Sequence, residues 1–76
     1  MKTKIHLEDS GQDFLEFVCD EDGIITDTFP FQGDIWNGSY IPLESEMCKV
    51  GELCPIHNAH IQYGFLKYKI TKIETL

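Results

Sequence analysis

Residues His60 to Leu76 read HIQYGFLKYKITKIETL. Tyr, Phe, Ile and Thr recur in this stretch with near-alternating polar partners, which is the composition of a strand rather than a helix. We read it as one long, bent β-strand against which the earlier segments must pair. Ile61, Tyr63 and Phe65 fall on one parity, and Leu66, Tyr68 and Ile70 on the other. A strand has period two, so the change of phase predicts a bulge or bend near Gly64 to Leu66, and a second slip predicts another between Ile70 and Ile73. A strand that needs two corrections coils around a small barrel or a strongly twisted sheet, with glycines and bulges at the corners.

Working back from this stretch, residues His57 to His60 read as a loop. Val50 to Ile56 (VGELCPI) reads as a glycine turn that delivers the chain into a strand. Glu44 to Lys49 (ESEMCK) is a polar connection. Asn37-Gly38 suits a type I′ turn, in which both central residues take positive φ, so Ile35 and Trp36 are expected to enter a hairpin and Tyr40 and Ile41 to leave it. The competing reading makes residues 30–36 one short helical turn ended by Gly38. Phe29-Pro30-Phe31 interrupts any ladder, because proline cannot donate in a central strand.

At the other end, Lys2 to Glu8 alternates, with Thr3, Ile5 and Leu7 on one side. That is a half-buried strand, followed by a turn at Glu8 to Gln12. Leu15, Phe17 and Cys19 share a strand face, Asp20 to Gly23 forms a turn, and Ile24 to Phe29 returns. The same residues also carry a helical stripe, with Ser10 as N-cap and Gly23 as C-terminal glycine. The hairpin is preferred because Asp-Gly between apolar arms is a strong turn signal and so short a helix would be marginal.

The expected fold is therefore all-β: one domain, residues 1–76, of five to six antiparallel strands in a small open barrel or strongly twisted sheet. The alternative is an α+β fold with one helix over Gln12 to Cys19. With 76 residues and 42% hydrophobic composition the chain can bury one small core, only about 60% of its unfolded surface. Pairing of Lys2 to Glu8 with Lys67 to Lys72 would gather the lysines along one charged sheet edge.

Net charge is −7, and its distribution is informative. No Lys or Arg stands between Ile5 and Cys48, while eleven of the thirteen acidic residues do. Such a surface repels phosphates, so direct nucleic-acid binding is disfavoured and a protein partner is favoured. Solubility is the plainer account of the same charge. The longest apolar run is Phe17-Val18-Cys19, far short of a membrane span, and MKTKIHLED does not read as a secretion signal. Three cysteines then read as reduced thiols in a cytoplasm, with a Cys48–Cys54 disulfide as the competing account.

Cys48, Cys54, His57 and His60 put four zinc-type ligands within thirteen residues, and Cys54-Pro55-Ile56-His57 resembles a zinc knuckle. The six-residue step from Cys48 to Cys54 departs from the usual paired spacing. The competing account makes Cys54 a small buried hydrophobe and the histidines loop residues. Asp20, Asp22 and Gly23 invite comparison with a calcium loop, but Val18 and Phe29 would then stand at the two essential carboxylate positions, which excludes an EF-hand. A Cys54/His57 thiolate pair lacks an orienting carboxylate in the sequence, the glycines form no phosphate loop, and there is no arginine to clamp an anion. Trp36 and Tyr40 flank the Asn-Gly turn as an interaction pair, or else pack across it as core.

The functional expectation is a non-enzymatic accessory or protein-interaction module with no cofactor. A zinc-binding structural domain and an acidic decoy that imitates nucleic acid toward a basic protein are the alternatives. Self-association stays open.

Overall fold

A computed structural model describes residues 1–11, 13–30, 36–58 and 64–76. Its five strands are β1 (Thr3–Glu8), β2 (Phe14–Cys19), β3 (Ile25–Phe29), β4 (Leu53–Ile56) and β5 (Gly64–Thr75), with no helix among the described residues. All pairings are antiparallel, in the order β3-β2-β1-β5-β4. The chain forms one all-β domain on an open, strongly twisted sheet, and its extents of 28 × 25 × 24 Å are nearly equal because the sheet wraps its own core.

The alternation read from β1 and β2 is realised. Ile5 and Leu7 face inward opposite Phe17 and Leu15, and Cys19 extends the same inner row. The core is completed by Ile25, Ile41, Cys48, Cys54, Ile56, Leu66 and Ile70. Each large apolar side chain in it contributes about 1.5–3 kcal/mol relative to exposure. Residues 14–19 are a strand and not a helix, because alternate rather than helically spaced side chains are buried; Gln12 lies outside the described residues.

The β1–β2 and β2–β3 turns use one device. Asp9 Oδ1 accepts hydrogen bonds from the Gly11 and Asp13 N–H groups at 2.8 and 3.0 Å. Asp20 Oδ1 likewise accepts from Asp22 and Ile24 at 2.9 and 3.0 Å. Each carboxylate mimics a backbone turn and satisfies donors that the ladder cannot reach.

In β5 the slip expected between Ile70 and Ile73 is present as a bulge at Thr71: His6 pairs with Lys72, but Leu7 pairs with Ile70. The Thr71 hydroxyl donates to the His6 carbonyl at 3.3 Å, and the extra residue lets both Ile70 and Ile73 lie on the inner side. The β4–β5 ladder is irregular next to the first expected slip, near Gly64 to Leu66. Its irregularity lies between Phe65, paired with Pro55, and Lys69, paired with Leu53. Leu66, Tyr68 and Ile70 keep a single inward parity and Phe65 points outward; Ile61 and Tyr63 lie outside the described residues.

Two expectations are corrected. β1 and β5 pair, but both are interior strands, so the lysines collect on the outer face of the sheet and not along an edge. The Asn37-Gly38 hairpin is replaced by a tight turn in which the Ser39 N–H donates to the Trp36 carbonyl at 3.0 Å, with Gly38 at φ 88°. The departing arm pairs elsewhere. Tyr40 bridges Ile24 on one side and His57 on the other, the Ile41 N–H donates to the Gly23 carbonyl, and the Ile25 N–H donates to the Ser39 carbonyl. Residues 39–41 thus span the gap between the two ends of the open ladder and occupy backbone groups that an edge would leave unpaired. Ile35 lies outside the described residues.

Candidate functional site

The thiols that the sequence offers as ligands are built into the core. Cys19 closes the inner row of β2, Cys54 enters from β4 and Cys48 from the turns before it, and all three are free and buried. Burial, reinforced by Cys48 and Asp20, pushes the Cys19 thiol up from 9.0 to about 12. Burial also raises Cys48 and, still further, Cys54. A protonated thiol is neither a nucleophile nor a metal ligand. Cys54 Sγ lies 3.5 Å from the Pro55 carbonyl, an outlet for its proton.

His57 is exposed, and its main chain exchanges hydrogen bonds of 2.8 and 3.0 Å with Tyr40. His60 lies outside the described residues. Among the described residues no group of three or more His, Cys, Asp or Glu side chains is placed to hold a metal ion.

Trp36 and Tyr40 separate in role. Trp36 packs on the core, its ring centroid 6.1 Å from that of Phe17 at 59°, whereas Tyr40 remains 40% exposed. Aromatic pairs in such tilted geometry add to the gain from burial.

The structure also assembles groups that sequence reading missed. On the outer face of the central strands His6 lies between two carboxylates, with Nδ1 3.3 Å from Glu16 and Nε2 2.6 Å from Glu74. Lys4 is 3.2 Å from Glu16 and Lys72 is 3.8 Å from Glu74. The hydrogen bond from His6, with help from Lys72, Lys4 and the His6 charge, holds the Glu74 carboxyl below its usual value. A ring protonated on both nitrogens donates to both carboxylates, whereas a neutral ring donates to one. These residues tie β2, β1 and β5 across a sheet face. The only hint in the sequence was their common parity.

One open groove of about 440 Å³ is lined by Met47, Leu53 and Phe65 together with Glu46, Glu52 and Lys49; a second of the same volume, lined by Lys4, Glu16, Val18, Asp27, Thr28 and Phe29, lies on the β2–β3 side of the sheet. Met47, Leu53 and Phe65 are each at least 40% exposed, and Val50 is 58% exposed. Leu53 begins β4 and Phe65 lies near the start of β5, so the irregular pairing of these two strands opens the groove. Phe65 is the off-phase residue of the terminal stretch, the one signal in the sequence that pointed here. A smaller cleft of about 220 Å³ is lined by Glu21, Asp22, Tyr40, Leu43 and Glu44.

Comparison with protein-family models, with curated proteins and with solved structures returns no significant match to this chain. No helix among the described residues is long and apolar enough to cross a membrane.

Proposed function

We propose that this chain is a small, acidic, non-enzymatic module that receives part of another protein in the Met47/Leu53/Phe65 groove. The observation that carries this reading is the groove itself. Three large apolar side chains each keep 40–45% of their surface exposed around one concavity although the core of a 76-residue chain has use for every one. Leaving apolar area exposed costs about 25 cal/mol per Å², and clustered exposure with a polar rim is the form that protein contact sites take. The thiols support the non-enzymatic part, since burial keeps them protonated. Three free cysteines accord with a reducing compartment, and a cytoplasmic setting is the companion proposal.

The test is affinity capture with the tagged chain beside a Leu53→Ser/Phe65→Ser variant whose β-sheet circular dichroism matches the parent. A protein retained by the parent and released by the variant is the expected result. Identical retained sets, or none with either bait, would refute the groove as a contact site.

A further inference from the structure

We infer that the groove and the adjacent acidic cleft form one two-part site for a segment that carries a bulky apolar residue next to lysine or arginine. This deepens the interaction reading above and rests on it. The two concavities flank the same stretch of chain: Leu43 and Glu44 line the cleft, Glu46 and Met47 line the groove, and only Ser45 lies between them. That stretch is folded on itself, with the Ser45 N–H donating to the Pro42 carbonyl, the Cys48 N–H to the Ser45 carbonyl and the Met47 N–H to Ser45 Oγ. A ligand crossing Ser45 meets apolar surface on one side and carboxylates on the other.

Charge complementarity selects the occupant. Glu21 in the cleft is held by the Met1 ammonium at 2.7 Å, but Asp22 and Glu44 take part in no ion pair among the described residues. Glu46 and Glu52 add two carboxylates at the groove, against one lysine, Lys49. Tyr40 lines the cleft with Asp22 and Glu44, and an aromatic ring beside carboxylates adds cation–π attraction for a bound lysine or arginine. An acidic segment would meet like charge on both sides. A basic segment without an apolar anchor would leave the groove unfilled.

The experiment is fluorescence anisotropy on the full 76-residue chain with three labelled ten-residue peptides. The first carries a Leu-Phe pair followed by two lysines; the second replaces the Leu-Phe pair with serines, and the third replaces the lysines with glutamates. The first is expected to bind at least tenfold more tightly than either control. Asp22→Lys/Glu44→Lys and, separately, Leu53→Ser are each expected to weaken it about tenfold, while thermal unfolding shows that both variants are folded. Asp22, Glu44 and Leu53 all lie at the surface, and the unfolding curves separate lost binding from lost fold. Equal binding of the basic and acidic peptides overturns the inference, as does no binding at all, or binding indifferent to the cleft variant. If these peptides fail while capture from lysate still depends on Leu53 and Phe65, the partner chemistry is wrong and the contact site stands. If both fail, the interaction reading falls with it.

Discussion

The Ile41 N–H donates to the Gly23 carbonyl at 2.8 Å, while the Ile41 carbonyl oxygen fills the space into which a Cβ on Gly23 would project. Gly23 also takes φ 84°, so both its backbone conformation and its missing side chain are required where residues 39–41 dock on the β2–β3 turn. Gly23→Ala is expected to destabilise by about 2–4 kcal/mol, since left-handed strain and a backbone clash add. Gly38, at φ 88° with nothing near its missing Cβ, serves as the control, and Gly38→Ala should cost only about 1 kcal/mol. Urea unfolding of the two variants separates conformation from space; equal losses would show that the docking of Ile41 contributes nothing.

The carboxylate of Glu74 gives the fold a defined response to acid. Its proton affinity is lowered in the folded state, chiefly by the hydrogen bond from His6, so folding is favoured while the group is ionised. That contribution is present above the ordinary carboxyl value of 4.5 and is lost as pH falls through the lower folded value. Melting temperature measured from pH 7 to pH 2.5 should therefore fall more steeply below pH 4.5 in the parent than in Glu74→Gln, and the two curves should converge at the acid end. Parallel curves would mean that the His6 contact does not survive in solution.

The thiols predict the opposite slope at alkaline pH. Cys19, Cys48 and Cys54 keep their protons in the fold beyond the ordinary value of 9.0, whereas the unfolded chain ionises there. Stability should fall as pH rises above about 9. At pH 8 an aromatic disulfide reagent should label the native protein slowly, Cys48 first because it is 7% exposed against 0% for the other two, and all three at once in denaturant. Immediate titration of three thiols in the native protein would contradict the buried placement.

β3 ends the ladder, and Asp27 stands exposed at its middle. A charge at that position opposes sheet-to-sheet pairing with another copy, since antiparallel pairing centred there would bring two Asp27 carboxylates together. Asp27→Val should leave the melting temperature within a few degrees but raise the apparent mass in sedimentation velocity at high concentration. A strictly unchanged sedimentation coefficient would locate the protection elsewhere.

Much of the sheet was legible because its rules are local. The alternation of Thr3 to Glu8, the Asp-Gly turn at residues 22–23 and the slip between Ile70 and Ile73 each write a strand, a reversal or a bulge into a few neighbouring residues, and each is found where expected. The site was much less legible. Cys54 and His57 are three apart in sequence, yet one enters the core while the other pairs its main chain with Tyr40.

Side-chain parity and turn chemistry act over a few residues, and they are enough to specify strands, a period-two core and a bulged C-terminal strand. Long-range packing places β1 at the centre of the sheet, lets Tyr40 join its two ends, and brings Met47, Leu53 and Phe65 around one groove. Those outcomes depend on which distant strands meet, and burial in one common core selects among pairings that local pattern leaves equivalent.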